Sequence, residues 1–455
     1  MNEAPPAAAP GVPGVADCVS ESSDSAAAGS GRHAADMARR TSDACGDGVS
    51  AFRAIISQNP VFLAPMAGWT DVVYRCICKQ MGAGLTYTEM VSAQGLEHGS
   101  AKTWEYLEVS EEEGRVAVQL FGSDPEVMAR QAQAVCERME GRLAAIDVNM
   151  GCPARKVVRK GEGSALMETP ELAARIVERM VSESDVPVTV KFRRGFRAGH
   201  ETAVDFARAM EQAGASAMCV HGRYASDFYR GTADWDVVRK VAGVVQVPVI
   251  ASGDLLSAQS IDACLRYTGC DAVMVARGAQ GNPWIFGQAR ELMDRRAAGD
   301  SVWEPAPVPL DERIRVARLH VRMLDERDPH KVVQMRTYFN QYFKGIPGAA
   351  AMRARASSCS TLQDFEALFD QMTEVAEAHG RMSESGRDAG SDDRPGQDVA
   401  SDVGAGRRVG DGSDAGVGRR SDGGCGTGDA LAGTRPAGKD ACAAAEGIRL
   451  PRGES

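Results

Sequence analysis

The residues best suited to chemistry lie in the stretch 144–167, AAIDVNMGCPARKVVRKGEGSALM, where a thiol follows a buried-strand pattern. The apolar pattern ends near Val148, and Cys152 comes just past that end with Asn149 before it. An α/β barrel places its reactive groups at this end of its strands. Because small buried thiols are also common in protein cores, position alone leaves a catalytic role and a packing role open.

Polar residues also follow the other apolar runs of the chain. Lys191 could stabilise negative charge on a bound ring or point to solvent, and His221 could be a second donor or a structural histidine. The glycines near residues 253 and 278 could form turns or seat a phosphate on backbone N–H groups. The run ends carry Pro65, Met66, Ala67, Glu89, Gln119, Asn149, Lys191, Arg193, His221, Arg223, Ser252, Gly253, Asp254, Arg277 and Gly278.

These residues belong to a regular alternation of strand and helix patterns. Short apolar runs that end in polar or Gly residues are typical of strands buried on both faces, and amphipathic helices lie between them. Eight such units over about 230 residues predict a TIM (β/α)8 barrel of the α/β class. An open doubly wound sheet is the rival, but no GxGxxG follows the first run. The predicted strands are residues 61–68, 85–91, 116–122, 144–151, 187–195, 217–223, 248–254 and 271–278.

Composition limits the folded part of the 455-residue chain. Residues 1–49 are rich in Ala, Pro, Gly and Ser, and residues 381–455 are rich in Gly, Asp, Arg, Ser and Ala. Neither segment can bury enough apolar surface to offset the entropy lost on ordering, so we expect two disordered tails. Between them we expect the barrel at residues 50–300 and a small helical domain at residues 308–380.

Charge and cysteine content restrict the class of protein. The net charge of -10 argues mildly against a generic nucleic-acid binder, although a local basic face can exist in an acidic chain. No apolar run approaches the about 20 residues of a membrane helix, and the N terminus lacks the layout of a signal peptide. The 12 cysteines show no paired CxxC spacing, and Cys76 and Cys78 are interpreted as packing residues. We expect a cytoplasmic monomer that needs neither a metal ion nor a membrane.

A basic segment follows the Pro-rich break WEPAPVPLDE. Ten Lys or Arg and five Asp or Glu residues give residues 311–355 a net charge of +5. Either the arginines form a solvated helix face or they grip RNA phosphates, and we prefer phosphate contact because such binding is mainly electrostatic. The aromatic residues of this segment are interpreted as core, and they are Tyr338, Phe339, Tyr342 and Phe343, ahead of Lys344.

Six segments in this order closely resemble the bacterial tRNA-dihydrouridine synthases: APMAGWTD, QLFGSDP, DVNMGCPARKVVRKGEGSALM, VKFRRGF, VHGR and ARGAQGNPWIF. The resemblance covers roughly residues 55–375, and NMGCPxxKV with the downstream GxGSALM is its most specific part. It implies an FMN-containing TIM barrel that reduces selected uridines of tRNA, with NADPH reducing the flavin and a C-terminal helical domain helping to hold the RNA. The segment YFKGIPGAA looks most like the B-type branch.

The resemblance also implies roles for individual residues. It makes Cys152 the catalytic acid, and it places Asn149 and Arg155 against the substrate uridine. We assign Lys344 to the RNA from its place in the basic segment. Where the family usually reads NGD this chain has Ser252, and we expect flavin affinity to change only modestly. The implied flavin contacts are Pro65, Met66 and Ala67 at the ring, Gln119, Lys191 and His221 at its polar groups, and Ser252, Gly253, Asp254, Ala276 and Arg277 at the ribityl phosphate.

The chemistry of uracil reduction fits these roles. Hydride must reach one carbon of the double bond from a reduced flavin, and a proton must reach the neighbouring carbon from an acid on the other face. A thiol with the ordinary pKa of about 8.5 is mostly protonated near neutral pH, so Cys152 can serve. Lys156 and Arg159 could ionise it or bind RNA phosphate, and we favour RNA. Two alternatives stay open: a flavin barrel acting on a small molecule, and a binding protein that has lost the chemistry.

Overall fold

Eight parallel strands form one sheet that curves into a nearly closed barrel, which confirms the predicted fold class. The computed structural model describes residues 47–300, 302–346 and 349–374. The strands are β1 (Val61–Leu63), β2 (Tyr87–Ser92), β3 (Val116–Phe121), β4 (Leu143–Met150), β5 (Val188–Gly195), β6 (Ala217–Tyr224), β7 (Val249–Ser252) and β8 (Ala272–Val275). Strand β1 pairs with β8, and every other neighbouring pair in the sheet is consecutive in the chain.

Two backbone hydrogen bonds bridge the remaining gap between β1 and the residues that lead into β2. The amide of Gly84 donates to the carbonyl oxygen of Val61 at 2.8 Å, and the amide of Leu63 donates to that of Leu85 at 2.9 Å. A Cβ atom on residue 84 would lie 2.2 Å from the carbonyl oxygen of Asn59. Glycine at this position therefore allows the close approach that closes the barrel.

Fifteen α-helices surround or follow the strands in the described part of the chain. They are α1 (residues 47–58), α2 (Val72–Gln80), α3 (Ala93–Glu97), α4 (Ala101–Glu105), α5 (Pro125–Arg138), α6 (Arg155–Val158), α7 (Pro170–Glu183), α8 (Ala203–Gln212), α9 (Trp235–Ala242), α10 (Ala258–Thr268), α11 (Ile285–Ala297), α12 (Leu310–Arg327), α13 (Met335–Tyr342), α14 (Ala349–Ala356) and α15 (residues 362–374). Local signals fix their ends. Helix α10 begins with a capping box between Ser257 and Ser260 and ends before Gly269, whose φ is 65°.

Apolar side chains fill the lower part of the barrel interior. Phe62, Tyr87, Cys219 and Met274 are buried there, and the ring of Phe52 from α1 packs edge to face on Phe62 with centroids 6.2 Å apart. A second, larger apolar cluster lies between the strands and the surrounding helices. Since the interior is a packed core, the carboxyl ends of the strands are left as the place for polar groups.

All eight predicted strands exist, but three of them end two or more residues before their predicted carboxyl ends. Strand β1 ends at Leu63, β7 at Ser252 and β8 at Val275. The residues that follow leave the strand conformation, and Gly253 and Asp254 have φ values of 112° and 56° in the left-handed region. The residues after these strands therefore form loops, and many of the predicted cofactor contacts lie in those loops.

Helices α12 to α15 form a unit after the barrel, here called the C-terminal helical unit. Its core is aromatic: Phe339 stacks on Phe369 with centroids 6.1 Å apart, and Phe343 packs at a tilt against the same ring with centroids 6.2 Å apart. Tyr338 and Tyr342 are also buried, so the interpretation of these aromatic residues as core is confirmed. Cys76 and Cys78 in α2 are buried as well.

The predicted tails, residues 1–49 and 381–455, lie outside the described residues except for residues 47–49, which belong to α1. Within the described ranges, none of the helices combines the length and the apolar character that crossing a bilayer requires.

Candidate active site

A cavity of about 400 Å³ opens at the carboxyl ends of the strands. It brings together all but two of the residues that were given a role in catalysis, in flavin binding or in substrate binding from the sequence. Arg155 is exposed at the start of α6, and Lys344 is exposed just after α13, so neither lines the cavity. The predicted residues that do line it are Pro65, Met66, Ala67, Gln119, Asn149, Cys152, Lys191, His221, Ser252, Gly253, Asp254, Ala276 and Arg277.

The loop that carries Cys152 is held from two sides. The side-chain oxygen of Asn149 accepts hydrogen bonds from the amides of Gly151 (3.2 Å) and Cys152 (2.9 Å). From the other side, the amide of Ser164 donates to the carbonyl oxygen of Cys152 at 3.0 Å. Residue 163 has a φ of +63°, and a Cβ atom there would lie 2.9 Å from the same oxygen, so Gly163 is required. The thiol is partly exposed and lines the cavity, as a reacting group must.

A buried carboxylate lies under the cavity, and the sequence analysis did not single it out. Asp147 of β4 accepts hydrogen bonds from Gln119 Nε2 (2.6 Å) and from Thr189 Oγ1 (2.7 Å). Burial raises the pKa of Asp147 to about 6, and the hydrogen bonds from Gln119 and Thr189 and the charge of Lys191 oppose that rise. The signal that could have found it is an acidic residue inside an otherwise apolar strand, AAIDVNM.

Lys191 and His221 lie on the neighbouring strands β5 and β6, and both line the cavity. Burial, together with the positive charges of Lys191, Arg193, Arg223 and Arg277, lowers the pKa of His221 well below its ordinary value. The imidazole is therefore neutral at physiological pH. It can donate one hydrogen bond and accept one, whereas Lys191 brings the positive charge.

One end of the cavity suits an anion. The carboxylate of Asp254 accepts from Arg277 (2.8 Å), from Arg223 (2.8 Å) and from the amide of Ala233 (2.7 Å). This carboxylate positions the two guanidinium groups, and its own oxygens are engaged. Nη1 of Arg223 is buried and has no hydrogen-bond partner within the described part of the chain. A Cβ atom at Gly253 would come within 2.7 Å of His221 Cδ2, so only glycine leaves this backbone accessible.

Tyr229 forms the rim of the cavity and was also missed from the sequence. Its side chain is 59% exposed, and the guanidinium groups of Arg193 and Arg277 lie 5.8 and 5.4 Å from its ring centroid. Arg193 also donates to the carbonyl oxygens of Gly151 (2.8 Å) and Phe228 (2.9 Å). Arg193 therefore ties the loop of Cys152 to the loop of Tyr229.

Positive charge at the surface divides into free and paired groups. The exposed side chains of Arg155, Lys156, Arg159 and Lys160, here called the α6 patch, form no hydrogen bond or ion pair with any other described residue. In α12, by contrast, four of the five arginines are paired with carboxylates, and Arg313 donates to the carbonyl oxygens of Val308 and Tyr342. The α12 pairs are Arg315 with Glu312, Arg318 with Glu366 and Asp370, Arg322 with Glu366, and Arg327 with Glu108. The net charge read from the sequence therefore overstates the charge that α12 can offer to RNA.

Comparison with known proteins places this chain in a family. The model of the family Dihydrouridine synthase (Dus) matches residues 62–378. The tRNA-dihydrouridine synthase B of Pseudomonas putida is 36% identical over 346 residues, which are 75% of this chain and 96% of that protein. The tRNA-dihydrouridine synthase B of Pasteurella multocida is 39% identical over 269 residues, which are 59% of this chain and 78% of that protein. The chain therefore belongs to the dihydrouridine synthase family.

Proposed function

We propose that this protein reduces selected uridines of tRNA to 5,6-dihydrouridine, with FMN as its flavin and NADPH as the reductant. The observation that carries the proposal is the joint placement of Cys152, Lys191 and the anion-binding end at Arg277 in one cavity. Family membership and relatives named tRNA-dihydrouridine synthase B support the same reaction. A purely structural barrel has no need of these groups at one mouth.

The shape and polarity of the cavity fit FMN. Pro65, Met66 and Ala67 offer an apolar wall for a flat ring, and Lys191 can offset the charge of a reduced one. At the far end the guanidinium of Arg277 and the open backbone at residue 253 suit a phosphate. When bound, the reduced flavin supplies a hydride to one carbon of the uracil double bond, and NADPH renews it.

Cys152 supplies the proton for the neighbouring carbon. Its thiol gives up the S–H proton as the new C–H bond forms, and the thiolate that remains takes a proton from solvent, which reaches the partly exposed side chain. The buried guanidinium of Arg193 donates to the carbonyl oxygen of Gly151 at 2.8 Å and so helps to hold the loop that carries this thiol. Asn149 lines the same wall of the cavity, where it can bind an edge of the base.

The target base must leave its stack to reach the cavity, at a cost of about a few kcal/mol. We assign the grip on the surrounding RNA to the α6 patch, which begins three residues after Cys152 and includes Arg155. Lys344 adds a second point of contact from the C-terminal helical unit. The working form is a cytoplasmic monomer.

The test is the variant Cys152→Ala in the purified protein. We expect it to keep the yellow flavin and to be reduced by NADPH, yet to modify tRNA at least about 100-fold more slowly. Cys136→Ala, which removes a buried thiol of α5 far from the cavity, is the control and should keep full activity. Loss of flavin from the Cys152 variant would mean that the residue is misassigned, and equal activity on free uracil would favour the small-molecule alternative.

A complementary test uses cells that lack this protein. Dihydrouridine is quantified at each position of the D-loop in their tRNA, and we expect it to be lost at the positions that this enzyme modifies. An unchanged dihydrouridine content at every position would contradict the proposal.

A further inference from the structure

A continuous chain of hydrogen bonds runs from the interior of the barrel to the catalytic loop. Thr189 Oγ1 and Gln119 Nε2 donate to the two oxygens of Asp147, at 2.7 and 2.6 Å. Asn149 Nδ2 then donates to Gln119 Oε1 at 2.7 Å, and Asn149 Oδ1 accepts from the amide of Cys152 at 2.9 Å. Thr189, Gln119 and Asp147 are each 1% exposed, so the hydrogen bonds among them are shielded from water.

The strands bring these groups together through their register. Gln119 of β3, Asp147 of β4 and Thr189 of β5 are direct partners across the sheet, so they form one row inside the barrel. Asn149 lies two residues further along β4 on the same face and pairs with Lys191 in the next row. Asp147 therefore lies one row beneath Asn149 and Lys191, which line the cavity.

Asp147 sets the direction in which every hydrogen bond of this series is donated. An ionised carboxylate only accepts hydrogen bonds, so Gln119 must turn its NH2 group towards Asp147. Its oxygen then faces Asn149, which must turn its own NH2 group towards Gln119. Asn149 is left with its oxygen facing the amides of Gly151 and Cys152. If Gln119 flipped, its oxygen would face the carboxylate of Asp147 and its NH2 group would face that of Asn149. If Asn149 flipped in response, the loop amides would lose their acceptor.

We propose that Asp147 is a positioning residue, which fixes the orientation of the Gln119 and Asn149 amides and thereby the conformation of the Cys152 loop. This role rests on the proposed function, because the loop is the one that delivers the proton to uracil. Asp147 does not reach the cavity itself. It acts through two amides, each of which could otherwise adopt either of two orientations.

The experiment compares substitutions at residue 147 that keep a hydrogen-bond acceptor for Gln119 with substitutions that remove it. In Asp147→Asn the new amide can accept from Gln119 with its oxygen and donate to the hydroxyl of Thr189, so we expect tRNA-dependent flavin oxidation within about threefold of wild type. Asp147→Leu keeps the branching of the side chain at Cγ and has no acceptor. We expect it to slow that step about 10- to 100-fold, while reduction of the bound flavin by NADPH changes less than about threefold.

A double variant keeps the test decisive if Asp147→Leu does not fold. In Thr189→Val alone, Asp147 still accepts a hydrogen bond from Gln119. The rate of tRNA-dependent flavin oxidation should therefore remain within about threefold of wild type. In Asp147→Asn with Thr189→Val, nothing fixes which end of the new amide faces Gln119. The double variant should then oxidise its flavin with tRNA as slowly as Asp147→Leu does. That slowing is larger than the product of the two single effects.

A second readout separates this proposal from the proposed function. Cys152 is the partly exposed cysteine of the described chain, so its alkylation rate by iodoacetamide reports on the loop without tRNA or turnover. We expect that rate to change at least about threefold in Asp147→Leu or in the double variant and to stay unchanged in the single isosteric variants. If wild type oxidises no flavin with tRNA, the proposed function fails, but alkylation still tests the positioning role. If tRNA-dependent flavin oxidation slowed equally in Asp147→Asn and Asp147→Leu, or slowed in neither, the positioning role of Asp147 would be overturned.

Discussion

The hydroxyl of Tyr338 donates a hydrogen bond to the backbone carbonyl oxygen of Trp69 at 2.9 Å, and the two rings pack edge to face with centroids 4.9 Å apart. Tyr338 belongs to α13 of the C-terminal helical unit, whereas Trp69 lines the cavity at the barrel mouth. The contact therefore joins the loop proposed to line the flavin ring to the helices proposed to orient the RNA.

Tyr338→Phe keeps the ring and removes this hydrogen bond. We expect the free energy of unfolding to fall by about 0.5–1.5 kcal/mol, and the KM for tRNA to rise because the helical unit is held less firmly against the mouth. Urea unfolding and steady-state kinetics measure the two effects. The control is Tyr342→Phe, which removes the contact between its hydroxyl and His320 Nδ1 (3.1 Å) without touching Trp69. A KM that rises equally in both variants would argue against a specific link through Trp69.

The α6 patch gives a prediction about salt. Because Lys156 and Arg159 have no carboxylate partner among the described residues, they are free to neutralise phosphates. Replacing either by Ala should weaken tRNA binding at low salt and reduce the slope of log affinity against log salt by about 1 for each lost contact. Filter binding over a range of KCl concentrations measures this slope. Arg315→Ala is the control, since Arg315 is already paired with Glu312 at 2.6 Å. If it reduces the slope as much, the division into free and paired charge is wrong.

The sequence predicted the strands and the residues at their ends because both depend on short-range pattern. An apolar run followed by polar groups identifies β4, Asn149 and Cys152 without knowledge of the neighbouring strands. The partners of Asp147 come from β3 and β5, and that register cannot be read from one segment. The pairing of Arg318 with Glu366 joins residues 48 apart, so the apparent basic face of α12 could not be corrected in advance.

The rim of the cavity could not be predicted for a different reason. Tyr229 reaches it through a loop in which Phe228 has a φ of 55°, a conformation that a bulky residue seldom adopts. The carbonyl oxygen of Phe228 is held by Arg193, a residue of β5 distant in sequence. Long-range contacts that impose an unusual backbone conformation leave no signal in local composition.

A buried ion pair near the mouth predicts a large effect on stability. Arg75 and Glu113 are 2% and 0% exposed at their side chains and meet at 2.6 Å, and Thr86 also donates to Glu113. Glu113→Gln leaves the guanidinium charge buried without a counter-charge, so we expect a loss of about 3–5 kcal/mol in the free energy of unfolding. Glu112→Gln at the exposed neighbouring position should stay within about 0.5 kcal/mol of wild type. Urea unfolding of both variants tests this, and similar values for the two would show that the pair is not desolvated.

His320 makes the stability of the protein depend on pH. Its ring is fully buried, stacks on Tyr74 with centroids 5.6 Å apart, and has a pKa lowered by burial from 6.5 to about 3. Between these two values the unfolded chain binds a proton that the folded protein does not bind. The free energy of unfolding therefore falls as the pH falls through this range, and the contribution from His320 between pH 7 and pH 5 is about 2 kcal/mol.

His320→Phe keeps an aromatic ring in this place but cannot titrate. When the pH is lowered from 7 to 5, we expect the free energy of unfolding to fall by about 2 kcal/mol less in the variant than in wild type. Urea unfolding at each pH measures this difference. Asp147, whose raised pKa of about 6 acts with the opposite sign, is present in both proteins and cancels in the comparison. The loss of the contact between His320 and Tyr342 lowers the stability of the variant at both pH values, so it does not affect the difference. Equal losses in the two proteins would mean that the His320 imidazole is accessible to protons in the folded state.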